Sequence, residues 1–360
     1  MRNLASIKVI SDIIPIEGKD RIVLAVVDGW NVIVQKDQFS IGDKCVYIEI
    51  DSVLPEKPEF EFLRKGGFRI KTMKMAGVIS QGICFPLSIL PEKPRGEYTV
   101  DEDLTNIIGI TQYEKTQDKE QAVSVPTKRR FPKFLMRFNW FRKLISPKRK
   151  AHFFPSFISK TDETRIQNIP AILRDKREWI VTEKIDGQSG TFCLVRHKSR
   201  VPFIKDKFEY IVCSRNLRLF AKDSSSYWRV SDRYQIENAL KNMIGDRNWI
   251  AIQGECVASN VQGNKYKVSE PDLYVFNLIY PTGRMDSVTA HDICNQHGLK
   301  FVPILDTDYV LPDSVNEVLD YAHGTSQLYD AMREGIVFRS KDGKQSFKAV
   351  DPLFLLKHDE

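Results

Sequence analysis

Short apolar runs separated by glycine-containing turns dominate residues 1–110 of this chain. The runs Ile22–Val27 and Trp30–Val34 flank Asp28-Gly29, a dipeptide that is typical of a tight β-hairpin. Further strand-like runs follow at Cys45–Ile50, Phe68–Met75 and Ile79–Phe85. Several short strands joined by such turns predict a small closed β-barrel.

The size of this β-rich region fits a barrel of the oligonucleotide/oligosaccharide-binding (OB) type. Its basic side chains include Lys65, Arg69, Lys71 and Lys74. They predict either a basic face for a nucleic acid or a solvated strand edge whose lysines prevent aggregation. The sequence favours these two interpretations equally.

A polar stretch and then a strongly basic block follow the barrel region. Residues 111–127 lack periodicity and contain Pro126, as linkers do. Residues 128–150 hold ten basic residues and no acidic one, so the net charge of +7 is concentrated there. One helical stripe of apolar side chains runs through the block, at Phe134, Phe138, Phe141 and Ile145. We expect a docking helix that also contacts RNA; docking alone is the second interpretation and contact with an anionic membrane the third.

Bulk composition narrows the class of protein. With 42% hydrophobic and 28% charged residues, the 360-residue chain has the composition of a soluble globular protein large enough for two domains. Charges scattered through the first twenty residues predict no signal peptide, and no apolar run is long enough to span a bilayer. The six cysteines are widely spaced, which favours a reducing, cytoplasmic location over a structural zinc site.

From residue 151 to 360, strands and helices mix without a βαβ period, which predicts an α+β domain built on antiparallel sheets. This region contains neither the phosphate-binding loop of P-loop enzymes nor a dinucleotide-binding glycine fingerprint. A nucleotide would therefore have to bind in another way.

The tetrapeptide Lys184-Ile185-Asp186-Gly187 ends a strand-like run and is the first candidate for chemistry. Alone it is weak, because an ordinary solvated turn explains it better. Other charged residues also flank apolar strands, where burial is costly without a partner: Arg215, Glu255, Glu334 and Lys348. One shared pocket explains them most economically. It would combine a lysine nucleophile, carboxylates for a divalent metal, cations for phosphate and, at Phe276, an aromatic ring for a purine.

The order of these segments resembles the covalent nucleotidyltransferase superfamily of ligases and capping enzymes, over roughly residues 152–357. The matching segments are Lys184–Gly187, Ser214–Asn216, Gly254-Glu255, the aromatic strand around Phe276, Glu334–Val337 and Phe347-Lys348. DNA ligases and capping enzymes have arginine where this chain has Ser189, and their OB domain follows the catalytic domain. Both departures point to nick-sealing, ATP-dependent RNA ligases with an N-terminal OB domain. Many ligases also have a second lysine at the place of Val350, and Lys357 is the candidate substitute.

The resemblance implies a role for each matching residue. Lys184 would attack the α-phosphate of ATP and carry AMP, provided that partial burial, Lys348 and bound metal lower its pKa. Lys348 would contact the α-phosphate, while Glu334 and Asp186 would bind Mg²⁺ or Mn²⁺. The remaining nucleotide contacts would come from Glu183 (base selection), Gly187, Arg215 (phosphate), Glu255 (ribose) and Phe276 (adenine). Arg165 would grip a nucleic-acid phosphate.

Three segments are expected: an OB-like nucleic-acid-binding domain at 1–110, a linker with a basic aromatic helix at 111–150, and an adenylyltransferase domain at 151–360. The expected partner is RNA, as a nicked duplex or as RNA ends, with no stable protein partner. Two alternatives stay open at this point. One is a DNA ligase or capping-type nucleotidyltransferase, and the other is a catalytically inactive RNA-binding protein.

Overall fold

The computed structural model describes residues 3–93, 97–113, 153–199, 203–219 and 225–358. The predicted basic aromatic helix within 128–150 and most of the predicted linker lie outside these ranges. Their roles stay predictions.

The N-terminal region is an antiparallel sheet whose two end strands approach each other, so that it forms a nearly closed barrel. Its strands are β1 (Ala5–Pro15), β2 (Ile22–Val27), β3 (Trp30–Gln35), β4 (Lys44–Ile48), β5 (Ser52–Val53), β6 (Arg69–Ile70), β7 (Met73–Met75), β8 (Val78–Ser80), β9 (Ile83–Phe85) and β10 (Thr111–Gln112). The main sheet has the order β3-β2-β1-β4-β9, with β10-β5-β6 and β7-β8 as smaller sheets. A register shift between Ile10 and Asp12 divides the long β1, so that it pairs with β2 along one part and with β4 along the other.

Asp28 and Gly29 join β2 to β3 as the sequence predicts, with Val27 opposite Trp30. Asp28 adopts a positive φ of 51°, which a two-residue hairpin turn with the right-handed strand twist requires. Helix α1 (Thr105–Ile108) and the 3₁₀ segments Pro58–Gly66 and Leu87–Ile89 complete the region. The interior is apolar, with Trp30, Tyr47 and Phe60 almost fully buried.

The second region contains two antiparallel sheets. Its strands are β11 (Glu178–Lys184), β12 (Gln188–His197), β13 (Lys207–Cys213), β14 (Arg218–Leu219), β15 (Trp249–Val257), β16 (Asp272–Tyr280), β17 (Gly283–Arg284), β18 (Ile304–Val310), β19 (Gly335–Ser340) and β20 (Ser346–Val350). The larger sheet has the order β14-β13-β12-β15-β16-β17, and the smaller one β18-β11-β19-β20. The predicted α+β architecture on antiparallel sheets is therefore observed.

Helices and short 3₁₀ segments pack around these sheets. The helices are α2 (Ser226–Arg233), α3 (Ile236–Met243), α4 (Ser287–Gln296), α5 (Val315–Ala322) and α6 (Pro352–Lys357). The 3₁₀ segments are Ile166–Asn168, Pro170–Arg174 and Gln262–Asn264. Phe192 and Ile252 of the larger sheet share a core with Leu240 of α3. Trp179, Phe338 and Phe347 of the smaller sheet share another, with the Trp179 and Phe347 rings 5.1 Å apart.

Strand β11 belongs to the smaller sheet and β12 to the larger one, so the short connector between them crosses from one sheet to the other. Ile185 of this connector is buried in the core of the larger sheet. Successive side chains of a strand point to opposite faces. Trp179 and Val181 therefore enter the core of the smaller sheet, while Thr182 and Lys184 lie on the other face, at the junction.

The barrel packs directly on the second region. Val350 and Leu355 share the apolar cluster that fills the barrel. At the β2–β3 turn, the Gly29 N–H donates to the Gln167 carbonyl at 2.9 Å. Beside it, Trp30 Nε1 donates to Asn168 Oδ1 at 2.5 Å, and Asn168 Nδ2 donates to Glu49 Oε1 at 2.8 Å. The two regions thus share apolar core as well as hydrogen bonds.

All six cysteines are buried, and none of them forms a disulfide bond. Within the described ranges, no helix combines the length and the apolar character that crossing a membrane requires.

Candidate active site

Lys184 lies at the end of β11, where the chain leaves the smaller sheet. Its Nζ is 2.6 Å from Oε2 of Glu334, and the two side chains are 25% and 10% exposed. Antiparallel pairing explains the contact, because Lys184 is opposite Gly335 on β19 and Glu334 immediately precedes that strand. Strand register therefore brings together two residues that are 150 positions apart.

The electrostatic surroundings of Lys184 include three carboxylates. Burial alone would lower its pKa, but the carboxylates of Glu334, Glu255 and Asp186 together raise it above the usual value of 10.5. The predicted lowering includes the charge of bound metal and stays a prediction, while the carboxylates alone give the opposite direction. The reason is that the nearest partner of Lys184 is a carboxylate, while the ammonium of Lys348 has a carboxylate partner of its own.

Glu255 supplies the second carboxylate of the site. It lies on β15, opposite Ser189 of β12 and Tyr274 of β16. Burial and the negative charges of Glu334 and Asp186 raise the pKa of Glu255 to about 8, although the charge of Lys184 acts in the opposite direction. Near neutral pH, this carboxyl group therefore exists in both protonation states and can donate or accept a hydrogen bond.

The connector that follows Lys184 is held tightly in place. Asp186 forms an ion pair with Lys265, and its backbone N–H donates to the Tyr266 hydroxyl at 2.8 Å. The Gly187 carbonyl accepts from Gln262 Nε2 at 3.3 Å. A Cβ on Gly187 would lie 2.5 Å from the Cys256 carbonyl oxygen, so only glycine allows the connector to approach β15 this closely.

Lys348 and Arg215 meet at a shared carboxylate. Oδ1 of Asp162 is 3.4 Å from Lys348 Nζ and 3.5 Å from an Arg215 guanidinium nitrogen. The Lys348 N–H also donates to the Thr164 carbonyl at 2.8 Å, which aligns this segment with β20. Two cations that converge on one half-exposed carboxylate form a position suited to a phosphate group.

Phe276 lies at a register shift of β16, partly buried. The guanidinium carbon of Arg339, on β19, is 5.9 Å from the centre of the Phe276 ring. Arg339 Nη1 in turn donates to the hydroxyl of Thr182, two positions before Lys184. Phe276 of the larger sheet therefore faces the same cleft between the sheets as Lys184 does.

Glu183 does not join this group, although it is adjacent to Lys184. Its Oε1 accepts from the Ser326 hydroxyl at 2.5 Å and its Oε2 accepts from the Gln327 N–H at 2.8 Å, on the opposite face of β11. The buried carboxylate thus orders the 326–327 loop. Neighbours in a strand point to opposite faces, so the Glu183 side chain points away from Lys184 here, and its role in base selection stays a prediction.

Arg165 lies at the contact with the barrel. One of its guanidinium nitrogens is 3.2 Å from Asp51 Oδ2, and the guanidinium carbon is 5.9 Å from the centre of the Trp30 ring. Only 7% of Arg165 is exposed, and its contact with a nucleic-acid phosphate stays a prediction. Its side chain ties the barrel to the strand-like segment beside Lys348.

The places where the sequence departs from the ligase pattern have clear structural settings. The Ser189 hydroxyl is 2.7 Å from that of Thr161, so it links β12 to the segment that carries Asp162. Val350, at the place of the absent second lysine, is buried in the barrel core. Lys357 is exposed at the end of α6. The lysine that the structure brings to Asp186 is Lys265, which sequence reasoning missed because no recognisable motif surrounds it.

The carboxylates around Lys184 fit a divalent cation. Three of them, Asp186, Glu255 and Glu334, act on one ammonium, and the raised pKa of Glu255 reflects this concentration of negative charge. Within the described ranges, no three Asp, Glu, His or Cys side chains converge into a ready-made cage. Such a donor set suits Mg²⁺ or Mn²⁺, which keeps several water ligands and shares others with a phosphate.

Comparisons with known proteins bear on both regions. Residues 4–87 match an OB-fold domain, and residues 177–350 match the RNA ligase family. The whole chain is similar to an RNA ligase of Naegleria gruberi. Its structure with PPi has a TM-score of 0.80 and 31% identity, over 100% of this chain and 99% of that one. A mutant with ATP and Mn gives a TM-score of 0.78 at 30% identity, over 99% and 98%.

A further mutant of the same ligase, with AMP and Mn, has a TM-score of 0.80 at 30% identity, with 99% of each chain covered. Among curated proteins, no significant match is found. The predicted fold, with an OB-like barrel first and an antiparallel-sheet domain second, is confirmed by these matches.

Proposed function

This chain belongs to the RNA ligase family and is an RNA ligase, and from this premise we propose that it uses ATP to seal nicks in RNA-containing duplexes. The observation that carries the proposal is the position of Lys184 among Glu334, Asp186 and Glu255 at the junction of the two sheets. Family membership also decides against a DNA ligase, a capping enzyme and an inactive binding protein.

In the first step, Lys184 Nζ attacks the α-phosphorus of ATP. A nitrogen–phosphorus bond forms, the bond between the α-phosphorus and the bridging oxygen breaks, and pyrophosphate leaves. The amine must first lose its proton, because the ammonium has no free electron pair. The ion pair with Glu334 must therefore loosen when the substrate binds.

Asp186 and Glu334 are the residues that would hold a divalent cation. Bound there, Mg²⁺ or Mn²⁺ would neutralise charge on the reacting phosphates. With Glu334 engaged in this way, Lys184 would lose the partner whose charge contributes most to its raised pKa. The carboxylates that keep Lys184 protonated before the substrate arrives would thus allow it to lose its proton once the substrate is in place.

The other residues of the cleft position the nucleotide. Lys348 and Arg215 would exchange Asp162 for phosphate oxygens. Phe276 would stack on adenine, and Glu255 would bond to the ribose hydroxyls. Gly187 lets the connector lie close enough to β15 for Lys184 and Glu255 to face the same substrate.

The next two steps act on RNA. The 5′-phosphate at a nick attacks the lysyl-AMP phosphorus, so that the nitrogen–phosphorus bond breaks and an adenylylated RNA end forms. The 3′-hydroxyl then attacks the 5′-phosphorus, AMP leaves and the strand is sealed. The barrel that precedes the catalytic domain, together with Ser189, supports duplex nicks as the substrate, since this combination departs from DNA ligases and capping enzymes.

Incubation with α-labelled ATP and a divalent metal tests the first step. The wild-type protein should acquire a covalent label, and Lys184→Ala should acquire none. Equal labelling of both proteins would overturn the assignment of Lys184, and labelling by GTP instead of ATP would indicate capping-type chemistry.

Nicked duplexes test the substrate. We expect sealing when the 3′-terminal nucleotide of the nick is a ribonucleotide, and much slower sealing when it is a deoxyribonucleotide. Efficient joining of single-stranded RNA ends without a bridging strand would contradict the nick-sealing proposal while leaving RNA ligation intact.

A further inference from the structure

Lys265 forms an ion pair with Asp186 that is almost closed to solvent. The two side chains are 12% and 8% exposed, which makes this pair more buried than the pair between Lys184 and Glu334. Burial of a charged pair is costly unless the geometry is good, and it strengthens the attraction between the two charges. Lys265 therefore balances much of the negative charge of Asp186.

The segment around Lys265 is built to hold this position. Tyr266 accepts the Asp186 N–H at 2.8 Å, and Gln262 donates to the Gly187 carbonyl at 3.3 Å. Gln262, Asn264 and Lys267 all have positive φ angles, between 48° and 53°, so the loop is tightly coiled. Such conformations cost free energy and persist where the surroundings enforce them.

Lys265 has a second contact on its other side. Its Nζ lies 4.7 Å from the centre of the Phe354 ring on α6, as in a cation–π interaction. The Tyr266 ring stacks on Tyr329 with their centres 4.4 Å apart. The ammonium is thus held between an aromatic ring and a carboxylate rather than directed to solvent.

We propose that Lys265 is the built-in counter-cation of Asp186, and that a divalent cation binding at Asp186 must displace it. The inference rests on the proposed function, in which Asp186 helps to hold the metal. A positive charge in contact with a carboxylate weakens the attraction of that carboxylate for a second cation, and the effect is large where solvent is excluded. Lys265 is therefore a positioning residue that holds Asp186 in place before the substrate arrives and lowers the affinity of the site for metal.

Direct binding of Mn²⁺ to the full chain without nucleotide tests this proposal. Free Mn²⁺ gives a sharp electron paramagnetic resonance signal that binding removes, so affinity is measured without catalysis. Lys265→Met should bind Mn²⁺ about fivefold or more tightly than the wild type, and Lys265→Arg should bind like the wild type. The gain should disappear in Lys265→Met combined with Asp186→Asn.

Controls separate the charge effect from disturbed folding. Lys241→Met removes another lysine–carboxylate pair, with Glu237 on α3, and should leave Mn²⁺ binding unchanged. Lys265→Gln keeps a hydrogen-bond donor near Asp186 and serves if thermal unfolding shows that Lys265→Met is not folded. Unchanged or weaker Mn²⁺ binding by the folded neutral variant would overturn the proposal.

Failure of this proposal and failure of the proposed function give different results. If the wild type forms the covalent AMP adduct but neutral variants of Lys265 gain no Mn²⁺ affinity, the proposal is wrong and ATP-dependent ligation stands. If the wild type forms no adduct, the proposed use of ATP is wrong, whatever Mn²⁺ binding shows.

Discussion

Nζ of Lys184 and Oε2 of Glu334 lie 2.6 Å apart, so the proposed nucleophile is held in an ion pair. An amine held in this way is protonated and unreactive. Glu334 therefore has two effects in the proposed mechanism: it positions Lys184, and it must release the proton-bearing nitrogen before attack. Binding of substrate and metal must therefore supply the free energy that separates this ion pair.

The pH dependence of lysyl-AMP formation follows from the raised pKa of Lys184. Its amine form grows with pH up to that pKa. At ATP concentrations well below the KM, where the rate reports the free enzyme, the single-turnover rate should therefore rise about tenfold per pH unit from neutral pH before it levels off. In Glu334→Gln the ammonium loses its closest stabilising charge, and its pKa falls. We expect a lower rate at pH 7.5, because Glu334 would also hold the metal. The plateau should nevertheless begin at a lower pH. The check is a rate profile with labelled ATP; a plateau at the wild-type pH would contradict the prediction.

Glu255 should make folding stability depend on pH. Its folded pKa of about 8 lies above the ordinary value of 4.5, so between these values the folded state binds a proton that the unfolded state has lost. Stability therefore falls as pH rises through this window. Glu255→Gln removes this pH dependence. The melting temperature of Glu255→Gln minus that of the wild type should therefore increase from pH 5 to pH 8.5, measured with a chelator present. Glu17→Gln, at an exposed position, is the control, and a gap that does not change with pH would refute the assignment.

Local patterns predicted much of the fold and the membership of the site. The turn at Asp28-Gly29 follows from a dipeptide that favours positive φ. The grouping of Lys184 with Glu255 and Glu334 follows from the cost of burying lone charges beside apolar strands. Period-two alternation also accounts for the Glu183 side chain pointing away from Lys184.

Other features depend on contacts that no local pattern encodes. The pKa of Lys184 depends on which charge lies nearest in space, and strand register decides that. Lys265 reaches Asp186 from 79 positions away through a loop with no motif. Arg165 is drawn into the barrel contact by Asp51, which belongs to the other region of the chain. These relationships arise only when separate elements pack together.

Phe276 should control the affinity for ATP. Stacking of a base on an aromatic ring contributes about 1–3 kcal/mol, so Phe276→Ala should raise the KM for ATP in lysyl-AMP formation about tenfold or more. Phe276→Tyr keeps the ring and should stay within about twofold of the wild type. Arg339→Met, which removes the guanidinium behind the ring, should have an intermediate effect. Equal KM values for Phe276→Ala and Phe276→Tyr would show that the ring does not bind the base.

Gly29 should determine how closely the barrel packs on the catalytic domain. A Cβ at this position would lie 2.7 Å from Cα of Gln167 and 3.0 Å from Cγ2 of Val315, so Gly29→Ala must push the two regions apart. We expect a loss of about 1–3 kcal/mol in stability. If the barrel acts on the polynucleotide, as we propose, nick sealing should lose more activity than lysyl-AMP formation. A point variant is a cleaner test than deletion of the barrel, since deletion would expose Val350 and Leu355.

Gly66→Ala is the matched control, with no atom within 4 Å of its new Cβ, and both activities should stay unchanged there. Equal loss of sealing and lysyl-AMP formation in Gly29→Ala would assign the barrel a supporting role in the fold alone.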